Sequence, residues 1–177
     1  FAILTGTASL AIVAAYPFMK RITWWPQVVL GLAFSWGALM GFAVILGTLG
    51  PAAFALYAGS IAWVIGYDTI YAHQDREDDA LIGVKSTALL FGESTQTMLT
   101  LFYALAVLLI GASIRLSAGG WLAWAGLLAF AAHLVWQIRA IRIGDPALCL
   151  RLFKSNRDAG LLLFAGLVAD AVLRANG

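Results

Sequence analysis

The chain has 177 residues, of which 62% are hydrophobic and 11% are charged, and its mean hydropathy is +0.90. Soluble domains carry about 25% charged residues, so this composition excludes a soluble globular domain and predicts an integral membrane protein. The single cysteine, Cys149, excludes an internal disulfide framework, and the net charge of +2 gives no reason to expect a nucleic-acid partner.

Apolar stretches long enough to cross a bilayer recur along the chain. A spanning helix needs roughly 20 apolar residues, and six stretches come close to that length, so we predict an all-α membrane protein with six visible transmembrane helices. Their predicted ranges are 2–18, 27–46, 52–71, 95–114, 121–141 and 158–173. A short helix is predicted near 86–91 within a mixed segment. Residues 142–157 are predicted to be a basic connection, because Asp145-Pro146 interrupts a helix.

Basic residues predict the orientation of these helices. The loops after the first, third and fifth predicted helices lie on one side of the membrane and hold nine of the eleven basic residues. The opposite side has only Arg115 and Arg174. Basic loops favour the cytoplasmic side, so we expect a multi-pass protein of a bacterial inner membrane, and a mitochondrial inner membrane is the less favoured alternative. The nine residues are Lys20, Arg21, Arg76, Lys85, Arg139, Arg142, Arg151, Lys154 and Arg157.

Residues 66–79, at the end of the third predicted helix, hold five of the nine acidic residues in otherwise apolar surroundings. If the helix continues through them, Asp68, Asp75 and Asp79 fall within about 40° of one another and repel unless a cation lies between them. Hard oxygen ligands favour Mg²⁺ or Ca²⁺. A solvated acidic loop explains residues 75–79 equally well. It explains Asp68 poorly, because an ionisable residue near membrane depth indicates a function.

Three blocks of the sequence resemble the UbiA family of membrane prenyltransferases, and the resemblance covers essentially the whole chain. The segment YDTIYAHQDREDD at 67–79, followed by IGVKSTA at 82–88, is similar to the family's second aspartate-rich motif. The segment 16–34, with YPFMKR, WPQ and GLAF, resembles the approach to the family's fifth helix. The pattern before its last helix is matched by Cys149, Phe153, Asn156 and Gly160.

The resemblance implies a bundle of nine transmembrane helices around a central cavity, of which residues 1–177 supply six as a single domain. The family's first aspartate-rich motif, Asn-Asp-x-x-Asp-x-x-x-Asp, does not occur in this sequence. The chain also starts directly in apolar sequence at Phe1. We therefore expect it to be the C-terminal two-thirds of such an enzyme and to be inactive alone.

The resemblance also implies that Mg²⁺ bridges the two acidic motifs and a polyprenyl diphosphate. It assigns Asp75, Asp79 and Asp68 to the metal and to catalysis, and it adds Arg21 as a cation that stabilises the leaving diphosphate. The residues expected to bind the diphosphate or the acceptor are Lys20, Arg21, Tyr71 and Lys85. The alternatives are that the cations only mark topology and that the tyrosine is an interface anchor.

Other polar residues receive structural interpretations. Asp78 points about 80° away from Asp68 on an ideal helix and reaches the site only if the helix ends first. His73 is expected to be exposed in a loop, and His133 to bond between helices. Asn156 is expected to cap the last helix, and Asp170 to lie near the opposite interface. Close helix packing is predicted at Gly31, Gly37, Gly41 and Gly47.

The function implied by the resemblance is Mg²⁺-dependent transfer of a polyprenyl group to the ring of 4-hydroxybenzoate in ubiquinone biosynthesis. Its partners would be polyprenyl diphosphate, 4-hydroxybenzoate and the lipid bilayer. Another acceptor, such as naphthoate, homogentisate, haem or a chlorophyll precursor, stays open. A transporter or cation channel belongs to a different class, and it predicts polar residues on several helices. The second, fourth and sixth predicted helices carry few.

Overall fold

Helices account for nearly all of the computed structural model, which describes residues 1–176, and no strand occurs among these residues. The helices are α1 (Ala2–Ile22), α2 (Pro26–Phe34), α3 (Trp36–Leu46), α4 (Pro51–Ala72), α5 (Arg76–Leu81), α6 (Thr87–Phe91), α7 (Thr95–Leu116), α8 (Trp121–Ala140) and α9 (Pro146–Ala175). A 3-10 turn, Gly92–Ser94, joins α6 to α7. The predicted all-α membrane fold is confirmed.

Five stretches of the described chain are long and apolar enough to cross a membrane. They are α1, α2 with α3, α4, α6 with α7, and α8. The sixth predicted span, 158–173, lies within the 30-residue helix α9. This helix is long enough to cross, but Asp158, Asp170 and Arg174 make its C-terminal part more polar than the other spans.

The second predicted helix is divided at Ser35 into α2 and α3. The Ser35 backbone has φ −79° and ψ −5°, and the Ala38 N–H bonds to the Ser35 carbonyl in a tighter i to i+3 turn. The indole Nε1 of Trp36 donates to the Thr5 carbonyl at 2.9 Å, which ties the start of α3 to α1. The predicted span over 27–46 is confirmed as one candidate membrane span, and Ser35 interrupts its helix locally.

The predicted connection over 142–157 was also wrong, because α9 begins at Pro146. The Asp145 carboxylate accepts a hydrogen bond from the Leu148 N–H at 2.9 Å, so it caps the helix. Proline is favoured at the first helical position, where its missing N–H costs nothing. The Asp-Pro pair thus starts a helix here, and Asn156 lies inside α9 rather than capping it.

Helix α4 is at the centre of the bundle, in contact with α2, α3, α6, α7 and α9. Its approach to α7 requires glycine, since a Cβ on Gly66 would overlap the ring of Tyr103. Of the glycines predicted to pack closely, Gly31 does, because its Cβ position is 3.0 Å from Ile61 Cγ2. The others were predicted wrongly: a Cβ added to Gly37 or Gly41 would meet no atom of another element within 4 Å, and Gly47 is instead a left-handed helix end.

Contacts between the loops define the two ends of the bundle. At one end, the Lys85 N–H donates to the Lys20 carbonyl at 2.9 Å, and the Gln96 side chain donates to the Ile138 carbonyl at 2.9 Å. The first bond joins the end of α1 to the segment between α4 and α7, and the second joins the end of α8 to the start of α7. At the other end, Arg174 donates to the Ala118 carbonyl at 2.8 Å. The loops after the first, third and fifth predicted helices therefore lie at one end of the bundle, as predicted.

Candidate active site

The acidic run does not form one face of a continuous helix, so the predicted common face of Asp68, Asp75 and Asp79 does not exist. Helix α4 ends at Ala72, a turn follows, and the six-residue helix α5 starts at Arg76. Asp75 occupies the position before the first helical residue, which aspartate favours. Asp68 therefore lies on α4, Asp75 in the turn and Asp79 on α5, so their relation depends on tertiary packing rather than helical spacing.

The folded chain brings Asp68 and Asp79 towards a common cation, Lys20 in the last turn of α1. Lys20 is the basic residue whose charge acts on both carboxylates. Asp79 is buried, and burial raises its pKa; the carboxylates of Asp75 and Asp78 raise it further, whereas Lys20 opposes the change. A site that holds a buried carboxylate beside others favours a bound cation, because a cation stabilises the charged form.

A cavity of about 630 Å³ opens beside Asp68, and we call it the inner cavity. Its lining residues are Phe34, Ser35, Ala38, Ser60, Trp63, Val64, Tyr67, Asp68, Phe153, Lys154, Asn156 and Arg157. The walls are mostly apolar and come from α2, α3, α4 and α9. The indole of Trp63 donates to the Asn156 side-chain oxygen at 2.8 Å across the cavity wall. The Ser35 hydroxyl is buried there and has no hydrogen-bond partner among the described residues.

Three further predicted binding residues lie around this end of the bundle. The Tyr71 ring packs against Phe153 with ring centroids 4.7 Å apart. The Lys85 ammonium donates to the Ile22 carbonyl at 3.3 Å and lies 5.7 Å from the centroid of the Trp24 ring. Arg21 is exposed and forms no ion pair within residues 1–176. Substrate binding by each of them stays a prediction, and Lys85 has a structural contact as well.

The remaining part of the acidic run faces a second cavity, of about 580 Å³, which we call the outer cavity. Glu77 and Asp78 line it together with His73, Arg76 and Glu93. Asp78 was expected to reach the site only if α4 ended before it, and α4 does end before Asp78, at Ala72. The lining nevertheless places Asp78 at the outer cavity, apart from Asp68. The acidic run is thus divided between two sides of α5.

His73 is not the exposed loop residue that was predicted. It is buried, and its Nε2 lies 2.9 Å from the Thr95 hydroxyl oxygen. That hydroxyl donates its own proton to the Gly92 carbonyl at 2.6 Å, so the His73 Nε2 carries the proton in this pair. Burial lowers the pKa of His73 to about 4, and Arg76 lowers it further. The imidazole is therefore neutral near pH 7.

The other structural interpretations agree with the contacts. His133 on α8 lies 3.1 Å from the Ser155 hydroxyl on α9, which confirms a bond between helices. Asp170 accepts a hydrogen bond from the Gly120 N–H at 2.9 Å and pairs with Arg174 at 3.1 Å, at the end opposite the acidic run.

Gln27 is a residue of this site that received no role from the sequence. Its side chain is buried beside Asp68, and its oxygen accepts a hydrogen bond from the Thr87 N–H at 3.2 Å. The sequence did offer one sign of a role for Gln27, which is a polar residue at the start of an apolar span. Polar residues in membrane-spanning segments are rare and often functional. Trp63 was overlooked for the opposite reason, since an indole in an apolar helix looks like ordinary core.

The donor set is compatible with one part of a Mg²⁺ site. Among residues 1–176, no three histidine, cysteine or acidic side chains lie close enough to hold a metal ion by themselves. Mg²⁺ usually takes one or two carboxylates and completes its shell with waters and substrate phosphates. Asp79 and the neighbouring Asp75 offer that number of carboxylates. The residues present therefore fit a shared site in which other ligands come from elsewhere.

Several known proteins similar to this chain have related names. A relative from Drosophila pseudoobscura pseudoobscura, named 4-hydroxybenzoate polyprenyltransferase, mitochondrial, is 48% identical over 98% of this chain and 44% of its own length. A relative from Ectopseudomonas mendocina (strain ymp), named 4-hydroxybenzoate octaprenyltransferase, is 48% identical over 93% of this chain and 56% of its own. The Bos taurus protein with the first of these names is 45% identical over 99% of this chain and 47% of its own.

The chain thus spans about half the length of the curated relatives that it matches. No solved structure matches it. The model of the UbiA prenyltransferase family matches residues 1–166, which include every acidic residue of the run and both Lys20 and Gln27. Because this match covers most of the chain and relatives at 45–48% identity cover nearly all of it, the chain belongs to the UbiA prenyltransferase family.

Proposed function

We propose that the protein containing this chain transfers a polyprenyl group from polyprenyl diphosphate to the ring of 4-hydroxybenzoate, as a step of ubiquinone biosynthesis. The observation that carries the proposal is the inner cavity, whose apolar walls end at Asp68, in a chain of this family. The names of relatives at 45–48% identity support 4-hydroxybenzoate as the acceptor. Family membership also favours an enzyme over the transporter alternative.

The dimensions and walls of the inner cavity suit an isoprenoid and an aromatic ring. Small-molecule sites in proteins commonly have volumes of roughly 300–1,000 Å³ and a few convergent polar groups. The inner cavity, at about 630 Å³, lies within this range. Its aromatic walls, which include Trp63, Tyr67 and Phe153, would exclude water from an allylic cation while the new carbon–carbon bond forms.

The charged residues would act where the diphosphate leaves. The bond between the allylic carbon and the diphosphate oxygen breaks, and the ring carbon ortho to the hydroxyl attacks the allylic carbon and later loses its proton. Lys20, with Arg21 beside it in the chain, would stabilise the negative charge that develops on the leaving group. Tyr71 and Lys85 lie at the same end of the bundle and are proposed to help hold the substrates.

We propose Mg²⁺ as the metal, held on this chain by Asp75 and Asp79, with Asp68 as the third proposed ligand. When bound, Mg²⁺ supplies a Lewis acid that neutralises the diphosphate and assists its departure. The remaining ligands would come from the diphosphate and from the first aspartate-rich motif that the resemblance implies elsewhere in the protein. The chain alone is accordingly proposed to be inactive.

The location that we propose is a bacterial inner membrane, with the acidic run on the cytoplasmic side. The excess of basic residues at that end supports the orientation. Relatives of both bacterial and mitochondrial kinds match at 48% identity, so sequence similarity does not favour either membrane. Labelling of an Asp78→Cys variant in intact cells and in inverted membrane vesicles tests the orientation: labelling of intact cells alone would contradict it.

The function is tested with the complete protein in membranes, supplied with polyprenyl diphosphate, 4-hydroxybenzoate and Mg²⁺. Mass spectrometry should detect 3-polyprenyl-4-hydroxybenzoate, and chelation of divalent cations should abolish it. Asp79→Asn is the matched control, because it keeps the shape of the side chain and removes its charge. Absence of product from the wild-type protein would refute the acceptor. Product formed only with naphthoate or homogentisate would instead favour the alternative acceptors.

A further inference from the structure

We propose that the outer cavity binds a primary ammonium group, supplied either by a free polyamine or by the ethanolamine headgroup of a lipid. This site goes beyond the proposed function and does not depend on it. The cavity has a volume of about 580 Å³, and its walls come from three separate segments, 73–80, 89–93 and 143–146. A ligand bound there would connect α5 with the loops before α7 and α9.

Two buried acceptor atoms of this cavity, His73 Nδ1 and the Gln74 side-chain oxygen, have no hydrogen-bond partner among residues 1–176. The only other buried side-chain nitrogen or oxygen of these residues without a partner is the Ser35 hydroxyl oxygen, which lines the inner cavity. A buried polar atom without a partner costs roughly 1–3 kcal/mol. Such atoms therefore occur in the described chain only beside a cavity, and an occupant of the outer cavity would satisfy two of them.

The two ring nitrogens of His73 have different hydrogen-bonding roles. The Nε2 carries the proton and lies 2.9 Å from the Thr95 hydroxyl oxygen, and Thr95 does not line the cavity. The Nδ1 of such an imidazole is an acceptor, as is the oxygen of the Gln74 amide. His73 is 2% exposed, so neighbouring atoms hold its ring in this orientation. A ligand that pairs these two atoms must be a hydrogen-bond donor.

The charges that line the outer cavity favour a cation. Glu77, Asp78 and Glu93 supply three carboxylates and Arg76 supplies one guanidinium, and none of these four side chains forms an ion pair within residues 1–176. An excess of one sign of charge in a cleft attracts ions of the opposite sign. In the described chain, no three histidine, cysteine or acidic side chains lie close enough to hold a metal ion. The lining therefore favours an organic cation.

A primary ammonium group has both of the required properties. It is positively charged, and it has three N–H donors and no acceptor. It can donate to His73 Nδ1 or to the Gln74 oxygen while a carboxylate of the lining neutralises its charge. The quaternary ammonium group of choline has the same charge but no N–H. Choline is therefore the compound that separates hydrogen bonding from charge attraction.

The ligand class is tested with the complete protein. In detergent, calorimetric titration should show binding of spermidine, and choline should bind about 10-fold more weakly or less, because it cannot pair the buried acceptors. In nanodiscs of mixed phospholipids, native mass spectrometry tests whether phosphatidylethanolamine is retained in preference to phosphatidylcholine. Spermidine binding alone identifies a free amine, and lipid retention alone identifies the headgroup; either supports the site. Binding of neither, or equal binding of the choline compounds, overturns the proposal.

The position of the site is tested with variants. His73→Gln keeps an amide donor for Thr95 and removes the Nδ1 acceptor, so the Kd for the amine that binds should rise about 10- to 100-fold. Glu93→Gln, at an exposed position, should raise the Kd about 2- to 5-fold, and it keeps the test decisive if His73→Gln fails to fold. The matched control is Asp158→Asn, which removes an exposed carboxylate outside the cavity. An equal rise in this control, or an unchanged Kd in the folded cavity variants, overturns the proposal.

Discussion

The crossing of α8 and α9 depends on two facing glycines, and alanine at either position should destabilise the protein. A Cβ on Gly166 would lie 2.5 Å from the Gly126 Cα, and one on Gly126 would lie 2.8 Å from the Gly166 Cα. Overpacking costs roughly 1–3 kcal/mol, and backbone atoms cannot yield as a side chain does. Alanine gains up to about 1 kcal/mol of helix propensity. The expected net loss for Gly166→Ala is about 1–2 kcal/mol, measured by thermal unfolding in detergent.

The matched control is Gly41→Ala on α3, where no atom lies within 4 Å of the new Cβ. This variant keeps the propensity gain and adds no overlap, so its melting temperature should equal or exceed that of the wild type. A loss of 1 kcal/mol lowers the melting temperature of a chain of this size by roughly 2–4 °C. If Gly166→Ala is as stable as Gly41→Ala, the close crossing of the two helices is refuted.

Three further predictions concern polar groups. Tyr103→Phe should lower the stability by about 1–3 kcal/mol, because it leaves the buried Gln137 oxygen without the 2.7 Å hydrogen bond; an unchanged unfolding midpoint would contradict this. Asp170→Ala should lower the melting temperature without affecting turnover of the complete protein, since it releases the Gly120 N–H and the Arg174 ion pair at the far end; lost turnover in a folded variant would argue against a structural role. Asp79→Asn should abolish turnover of the complete protein in membranes at normal expression levels, and retained turnover would indicate a solvated loop.

The sequence predicts the helical membrane fold well, because periodicity and apolar length are local properties. It fails where one residue type has two opposite uses. Asp145-Pro146 was taken as a break, yet the carboxylate caps and the proline begins a helix. The break at Ser35 could not be predicted from the sequence, since a serine is compatible with either a continuous or a divided helix.

For the candidate site, the chemical nature of the acidic run was apparent from the sequence and its arrangement was not. Spacing of three to four residues brings side chains together only while the helix continues, and α4 ends before Asp75. The burial of His73 follows from a partner on α7, Thr95, that is 22 positions away. Contacts of this kind depend on packing between helices, which hydropathy and local spacing do not encode.

The division of the acidic run gives its members different tasks. A six-residue helix is too short to be stable by itself, and α5 has Glu77, Asp78 and Asp79 in its first turn, where negative charge stabilises a helix N-terminus. Glu77 and Asp78 face the outer cavity and can serve this role without touching the substrates. Some carboxylates of an aspartate-rich motif can therefore act as folding determinants for the short helix that presents its buried member.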